Sequence, residues 1–426
     1  MLTVVGGILV RTFATTFATT TNTAAAMVVV RRRPDTTTDY KSLFLSNAPM
    51  MDVRAPVEFD QGSFPLACNI PLLTDEERHQ VGICYKEHGQ DAAIELGHEL
   101  VHGEVKATRL KLWTDFCRDH PDHGYLYCFR GGLRSNTVQQ WIKEETGITY
   151  PLVTGGYKAM RTFLMKELDL SMDPKAAELI VVCGKTGSGK TLVMEQLDHI
   201  HCSLDLEGLA HHRGSSFGAM PHNPDQPSQI DFENSISIAV LKLLNADADP
   251  VVSDLNGNVN GNVPSKKRIF VEDESKRIGR VTLPPALSHR METCDGIVVV
   301  EMSVEERAQV IVQDYVIDLR ERFVAIHGME QGVVMHREFM LAALKRIRNR
   351  LGGERYEKIK ATMEAAFQEE QVSGDMTLAS VWVTDLLVGY YDKMYDYQLA
   401  QRKSKVLFRG SRDEVVEWAR ATTMSV

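Results

Sequence analysis

The residues best suited to covalent chemistry lie in the run Tyr127-Cys128-Phe129-Arg130-Gly131-Gly132-Leu133-Arg134-Ser135. A cysteine follows the short apolar run 125–127, which reads as a buried strand, and Asn136 to Ile142 opens a helical pattern. A strand, a loop and a helix start aim successive backbone N–H groups at one point, with the helix dipole behind them. A thiol at that point is expected to have a lowered pKa and to carry nucleophilic thiolate near neutral pH. Gly131 and Gly132 let the loop curl around the sulfur, and Arg130 and Arg134 can neutralise an anion bound beside it. The plainer alternative is a buried structural cysteine before a basic turn. Cys, Gly-Gly and two Arg within seven positions suit an anion cradle better.

A second cradle follows the run 178–183, which reads as a buried parallel strand. Gly184-Lys185-Thr186-Gly187-Ser188-Gly189-Lys190-Thr191 is a full phosphate-binding loop, with a strand before it and a helix after it. Gly184, Gly187, Ser188 and Gly189 would offer backbone N–H groups to a diphosphate. Lys190 would reach its terminal phosphate, and the Thr191 hydroxyl would bind Mg2+. The strand 269–274 ends in Glu272-Asp273-Glu274; Asp273 is the acid expected to hold that metal through water, with Glu272 or Glu274 as substitutes. Between the two strands, His211-His212-Arg213 crowds a polar loop. The histidines lack a third ligand at metal spacing, which favours anion or substrate contact, with Arg213 as a cofactor-binding residue.

Short strands alternating with helices position both loops, as in α/β folds with parallel sheets. The helical stretch 75–118, with apolar residues at Ile94, Leu96, Leu100, Val101, Leu110 and Leu112, precedes the cysteine loop. The glycine pair Gly155-Gly156 follows it. A linker is expected at Asp169 to Pro174, and an insertion rich in Asn, Asp and Gly at 245–267 without chemistry of its own. From Ser303 onward the pattern is mostly helical. Two basic stretches there, Lys345 to Lys360 and Arg402 to Arg412, are each either a solvated helix face or a nucleic-acid contact.

The chain has 426 residues and a formal net charge of −9, so nucleic-acid binding would need a local basic patch. Seven scattered cysteines without a Cys-x-x-Cys pair argue for a reducing, intracellular compartment and against a disulfide framework. No apolar run is long enough to span a bilayer, so no membrane partner is expected. Residues 1–34 contain Thr, Ala and Val in excess and no acid before Pro34. They read either as a transit peptide, which would send the protein to a mitochondrion or plastid, or as a leader without function on a cytoplasmic protein.

The first half resembles a rhodanese domain through Asp52-Val53-Arg54, Glu58-Phe59, Asn69-Ile70-Pro71, the Cys128 loop and Thr154-Gly155-Gly156. Five residues separate Cys128 from Arg134, the spacing of the related phosphatases, whose cradle holds a larger, phosphate-bearing anion. A rhodanese domain followed by a P-loop domain is similar to the tRNA 2-selenouridine synthase family. The resemblance runs from about Asp39 through Glu301 and includes 205–208, 212–218 and 272–279 in the family's order. It implies an α/β protein with a disordered leader at 1–34, a rhodanese-like domain at 39–167, a P-loop NTPase-like α/β domain at 174–301 and a helical C-terminal region at 302–426.

The resemblance further implies a tRNA partner carrying 2-thiouridine at the wobble position. Its sulfur would be geranylated from geranyl diphosphate, and selenophosphate would then supply selenium. Cys128 would carry the selenium as a perselenide, with Arg130, Gly131, Gly132 and Arg134 around it. The P-loop suits the diphosphate of the geranyl donor, and ATP or GTP stays open at this point. The rival reading is a sulfurtransferase or phosphatase-like rhodanese fused to a nucleotide-hydrolysing P-loop domain, which would need no tRNA. A nucleotide-regulated binding protein would lack a nucleophile, and Cys128 argues against it.

Overall fold

The computed structural model describes residues 34–199, 202–215, 217–218, 226–246, 267–373, 377–402 and 405–424. The leader and nearly all of the 245–267 insertion lie outside these residues.

The first sheet is built from β1 (Thr36–Thr37), β2 (Met50–Asp52), β3 (Ala67–Asn69), β4 (Tyr125–Tyr127) and β5 (Leu152–Val153). They are parallel, in the order β1-β5-β4-β2-β3. Parallel strands connected through helices are buried on both faces, and these strands alternate accordingly. Met51, Leu126 and Leu152 meet Trp113, Val138 and Ile142, whereas Met50, Tyr127 and Val153 meet Phe64, Tyr157 and Leu164. Cys128 follows directly on β4, the middle strand. The sheet begins at Thr36, ahead of the boundary expected at 39, because β1 pairs with β5.

The second sheet comprises β6 (Ala177–Gly184), β7 (Ser203–Leu204), β8 (Lys267–Glu272), β11 (Gly296–Val300) and β12 (Val406–Gly410); β9 (Arg277–Ile278) and β10 (Val281–Thr282) form a small antiparallel hairpin. The five are parallel, in the order β12-β11-β6-β8-β7. Leu179, Val181 and Cys183 face one cluster, and Ile180 and Val182 the other, so the run 179–183 is apolar throughout. The P-loop thus starts at the carboxyl end of the central strand, where α/β sheets bind ligands.

Two expectations change. The segment 169–174 is no extended linker: the helix Gly156–Ser171 runs through its first half. Leu164, Leu168 and Met172 continue the apolar stripe at four-residue spacing, and Leu168 and Met172 enter the core of the second sheet. Nor is the chain beyond 302 helical to its end. β12 joins the sheet beside β11, and Val415, Val416 and Ala419 of the last helix (Arg412–Met424) pack on Val193, Met194 and Leu197 of the helix after the P-loop. Between Val304 and Gln401 the described chain is almost entirely helical, with π-helical turns at Val312–Ile317 and Leu387–Tyr391.

The two sheets share an apolar seam. Ile238 and Leu241, from the helix Gln229–Asn245, pack in one cluster with Met160 and Leu164. Polar bonds flank it: the Ser63 N–H donates to Asp231 at 2.6 Å, and Arg161 to Asn234 at 2.7 Å.

Candidate active site

The Cys128 loop is closed from behind by backbone. The Tyr157 N–H donates to the Cys128 carbonyl at 2.9 Å. A side chain on Gly156 would put its Cβ 2.2 Å from that same oxygen and 2.5 Å from the Gly131 nitrogen, so only glycine fits there. Cys128 is buried, with Sγ 3.2 Å from the Ser135 hydroxyl, which itself lies 3.0 Å from the Gly132 carbonyl. Ser135 sits in the first turn of the helix Leu133–Thr146, at the end where N–H groups lack helical partners.

The two arginines of this loop part company. Arg134 donates to both oxygens of Glu58 at 2.5 and 3.1 Å, and Arg78 reaches the same carboxylate at 3.2 Å. Burial works to raise the Glu58 pKa, but its hydrogen bonds and charge contact with Arg134 outweigh this and hold it down. Arg130 has no ion pair among the described residues. With Lys158 and Lys166 it borders an open groove that Tyr40 and Phe163 also line, and among the described residues no carboxylate lines it. Asp52 and Arg54 form a buried pair at 2.6 Å, with the guanidinium over the Tyr157 ring at 3.9 Å. They brace the strand end beside the loop.

In the P-loop, the Lys190 ammonium donates to the Gly184 carbonyl at 3.0 Å, and no ion pair holds it among the described residues. Ser188 is buried, and its hydroxyl has no partner among the described residues. Arg412, at the start of the last helix, lies across Gly189: a Cβ there would sit 2.7 Å from Arg412 Cδ. Arg307 anchors the loop from the other side, donating to the Thr186 carbonyl at 3.2 Å while gripping Asp392 through two bonds of 2.8 and 2.7 Å.

A family profile described as "tRNA 2-selenouridine synthase AAA domain" matches residues 177–425. A tRNA 2-selenouridine synthase of Marinobacter nauticus is 47% identical over 390 residues, covering 92% of this chain and 98% of that protein. Its counterpart from Bordetella petrii is 46% identical, covering 90% and 96%. The chain belongs to the tRNA 2-selenouridine synthase family.

Within this member of the family, the acids around the P-loop are arranged unlike the expectation from sequence. Asp273 pairs with Arg402 at 2.6 Å and accepts from the Cys183 thiol at 3.1 Å. Glu207 is the carboxylate that reaches Thr191, at 3.5 Å between Oε2 and Oγ1. Glu272 is buried; its Oε2 accepts from the Glu207 N–H at 3.2 Å, and its Oε1 has no partner among the described residues. Burial, then the neighbouring charge of Glu207, push the pKa of Glu272 well up and that of Glu274 to about 8. Among the described residues no three His, Cys, Asp or Glu side chains converge as metal ligands. Mg2+, which keeps several waters and shares phosphate oxygens, could use Thr191 and Glu207 beside a bound diphosphate.

His212 is buried, and that burial lowers its pKa; its backbone N–H donates to the Glu207 carbonyl at 3.1 Å. Arg213 pairs with Asp314 at 3.2 Å and lies over the Tyr315 ring. Of the basic stretches, Arg348, Lys358, Lys360, Arg402 and Arg409 each have an acidic partner. Lys403 lies outside the described residues. Sequence reasoning placed Arg412 among those nucleic-acid candidates, and it named Glu58 and Glu207 only as part of the family resemblance, with no role at either loop. The order Asp205-Leu206-Glu207-Gly208 after a strand was the one available signal for Glu207. Among the described residues no helix is long and apolar enough to cross a membrane.

Proposed function

We propose that this chain converts wobble 2-thiouridine in tRNA to 2-selenouridine in two steps, one at each cradle. In the first, the thiocarbonyl sulfur attacks C1 of geranyl diphosphate. The C1–O bond breaks, diphosphate leaves, and the uridine N3 proton is lost. In the second, the selenium of selenophosphate attacks C2, the geranylated sulfur leaves and takes up a proton as geranyl thiol, and water cleaves the P–Se bond to release phosphate, with the Cys128 thiol in the cradle that holds the donor. The first α/β half is read as a rhodanese-like domain at 39–167 and the second as a P-loop domain from 174.

The observation that carries this reading is Cys128 itself: a thiol in a glycine-walled cradle at the end of a central parallel strand, in a chain that also carries a complete P-loop. The names of its relatives supply the product, 2-selenouridine in tRNA. In the first cradle, Arg130 and the loop amides would hold the phosphate of selenophosphate, with Arg134 shared between that anion and Glu58. In the second, Lys190, Arg412 and the loop amides would hold the diphosphate. Unpaired cations mark where the tRNA would lie. Arg130, Lys158 and Lys166 border the Cys128 loop with Tyr40 and Phe163, and cations interleaved with aromatic rings suit a single-stranded loop.

The test is mass spectrometry of wobble nucleosides after 2-thiouridine tRNA is incubated with both donors. Cys128→Ser should abolish 2-selenouridine and let the S-geranyl nucleoside accumulate. A serine variant that makes 2-selenouridine at the normal rate removes Cys128 from the reaction.

A further inference from the structure

The Cys128 loop takes its shape from the first turn of the helix Gly156–Ser171. Tyr157 and Lys158 donate their backbone N–H groups to the carbonyls of Cys128 and Phe129, each at 2.9 Å. In a planar trans peptide the C=O and the N–H point opposite ways. Holding those two carbonyls against the helix therefore turns the N–H groups of Phe129 and Arg130 away from it. No backbone carbonyl among the described residues takes up either one, so both are free to meet an anion. A shift of the helix would tilt both amides together.

That helix is set in place from the second half of the chain. Tyr157 and Arg161 stand four residues apart on the face that continues as Leu164, Leu168 and Met172. Polar contacts at the head of this stripe fix its register, which is the best-attested use of buried polar groups. Asn234, in the helix Gln229–Asn245, is fully buried. Its Oδ1 accepts from Arg161 at 2.7 Å, its Nδ2 donates to the Ser63 carbonyl at 2.6 Å, and the Tyr157 hydroxyl lies 3.4 Å from that nitrogen. Glu233 pairs with Arg161 as well. The Tyr157 ring in turn lies under the Arg54 guanidinium at 3.9 Å, and its centroid is 6.2 Å from that of Phe129 in the loop itself. A buried amide costs stability unless its groups are paired, and these partners of Asn234 all lie in the first half.

We propose that Asn234 is a positioning residue for the Cys128 cradle: it fixes the register of the helix Gly156–Ser171, whose first turn aims the Phe129 and Arg130 amides at the bound anion. The P-loop half thereby completes the cradle of the other half. This rests on the reading of the Cys128 loop as the site of the selenophosphate phosphate, and adds to it the residue that keeps the loop in shape from a distance. Asn234 acts on anion affinity at Cys128 and leaves the P-loop step alone.

The test is protection of Cys128 from iodoacetamide by inorganic phosphate, read by peptide mass spectrometry on the full chain, with the exposed Cys68 as reference. Asn234→Leu should need at least fivefold more phosphate for half-protection. On geranylated tRNA it should raise the KM for selenophosphate at least fivefold with kcat within twofold, while Cys68 alkylation and geranylation of 2-thiouridine tRNA stay within twofold. Arg161→Leu should act in the same direction, and Arg161→Lys, which keeps a donor for Asn234, should recover most of the loss. A protection midpoint within twofold of wild type in a folded Asn234→Leu overturns the inference. An equal loss in geranylation also overturns it, because that marks general support of the fold. Should that variant not fold, the Arg161 pair decides by the same two criteria. Wild-type Cys128 that phosphate fails to protect at any concentration removes the reading of the loop as an anion site, and the positioning role with it.

Discussion

Replacing Lys190 by alanine should weaken geranyl diphosphate binding by about 10- to 150-fold. In the chain as it stands, the ammonium donates to the Gly184 carbonyl at 3.0 Å and has no acidic partner among the described residues, so its charge is available to a ligand. Transferring that donor to a diphosphate oxygen makes a charge-assisted contact of about 1.5–3 kcal/mol. At about 1.4 kcal/mol per decade, this is the stated range of Kd. Arg412→Ala, at the other edge of the loop, should act in the same direction, because its guanidinium lies over Gly189. Calorimetry with inorganic and geranyl diphosphate measures both variants. Selenium transfer to tRNA that is already geranylated provides the control, since that step uses the Cys128 cradle. A Lys190→Ala protein that binds both diphosphates within twofold of wild type would refute the placement of the phosphates. Equal loss in both chemical steps would mean that Lys190 supports the fold or the tRNA.

The remaining predictions concern RNA and pH. Charge reversal of Arg130, Lys158 and Lys166 together should weaken tRNA binding and make its dependence on log salt shallower by about 2, since each phosphate contact on a single strand contributes about 0.7. Reversing Arg346, Arg348 and Arg350 should matter less, because Arg348 already pairs with Glu357; filter binding over a salt series compares the two sets, and the opposite ranking would place the RNA on the helical tail. For Glu274, the folded pKa of about 8 lies above its ordinary value of 4.5, so folding favours the protonated form. Its contribution is intact below pH 4.5 and is lost as pH rises through 8. Glu274→Gln should therefore raise the urea midpoint relative to wild type at pH 9 and not at pH 4.5; parallel curves across that window would show that Glu274 ionises without strain.

Both cradles were legible because each is local: one strand, one loop and one helix start, with glycines where backbone crowds, as at Gly156 against Cys128. What joins them to distant chain was not. Glu58 meets Arg134 because β2 lies beside β4, and no spacing in the sequence reports on that pairing. Arg412 read as one more cation in a basic stretch. It reaches Gly189 only because β12 adds to the sheet next to β11, and β12 is a short edge strand with alternating exposure that resembles a helix terminus in sequence. The π-turns have no composition that marks them. The helix through Ser171 was hidden by the polar residues Asp169 and Asp173 around Met172, whose burial only the tertiary packing reveals.

The two cradles also differ in a way that matches the division of labour proposed for them. At the P-loop, neither Lys190 nor Arg412 is held in an ion pair among the described residues, although Glu274 and Glu306 lie within their electrostatic reach, so a diphosphate would find both cations free to turn to it. At Cys128, Arg134 is already bound by Glu58, and a phosphate must compete with that carboxylate for it. An anion that must give up its selenium and depart gains from such competition, because binding it too tightly would slow the release of phosphate. On the proposed reaction, Glu58 would set how long the anion stays.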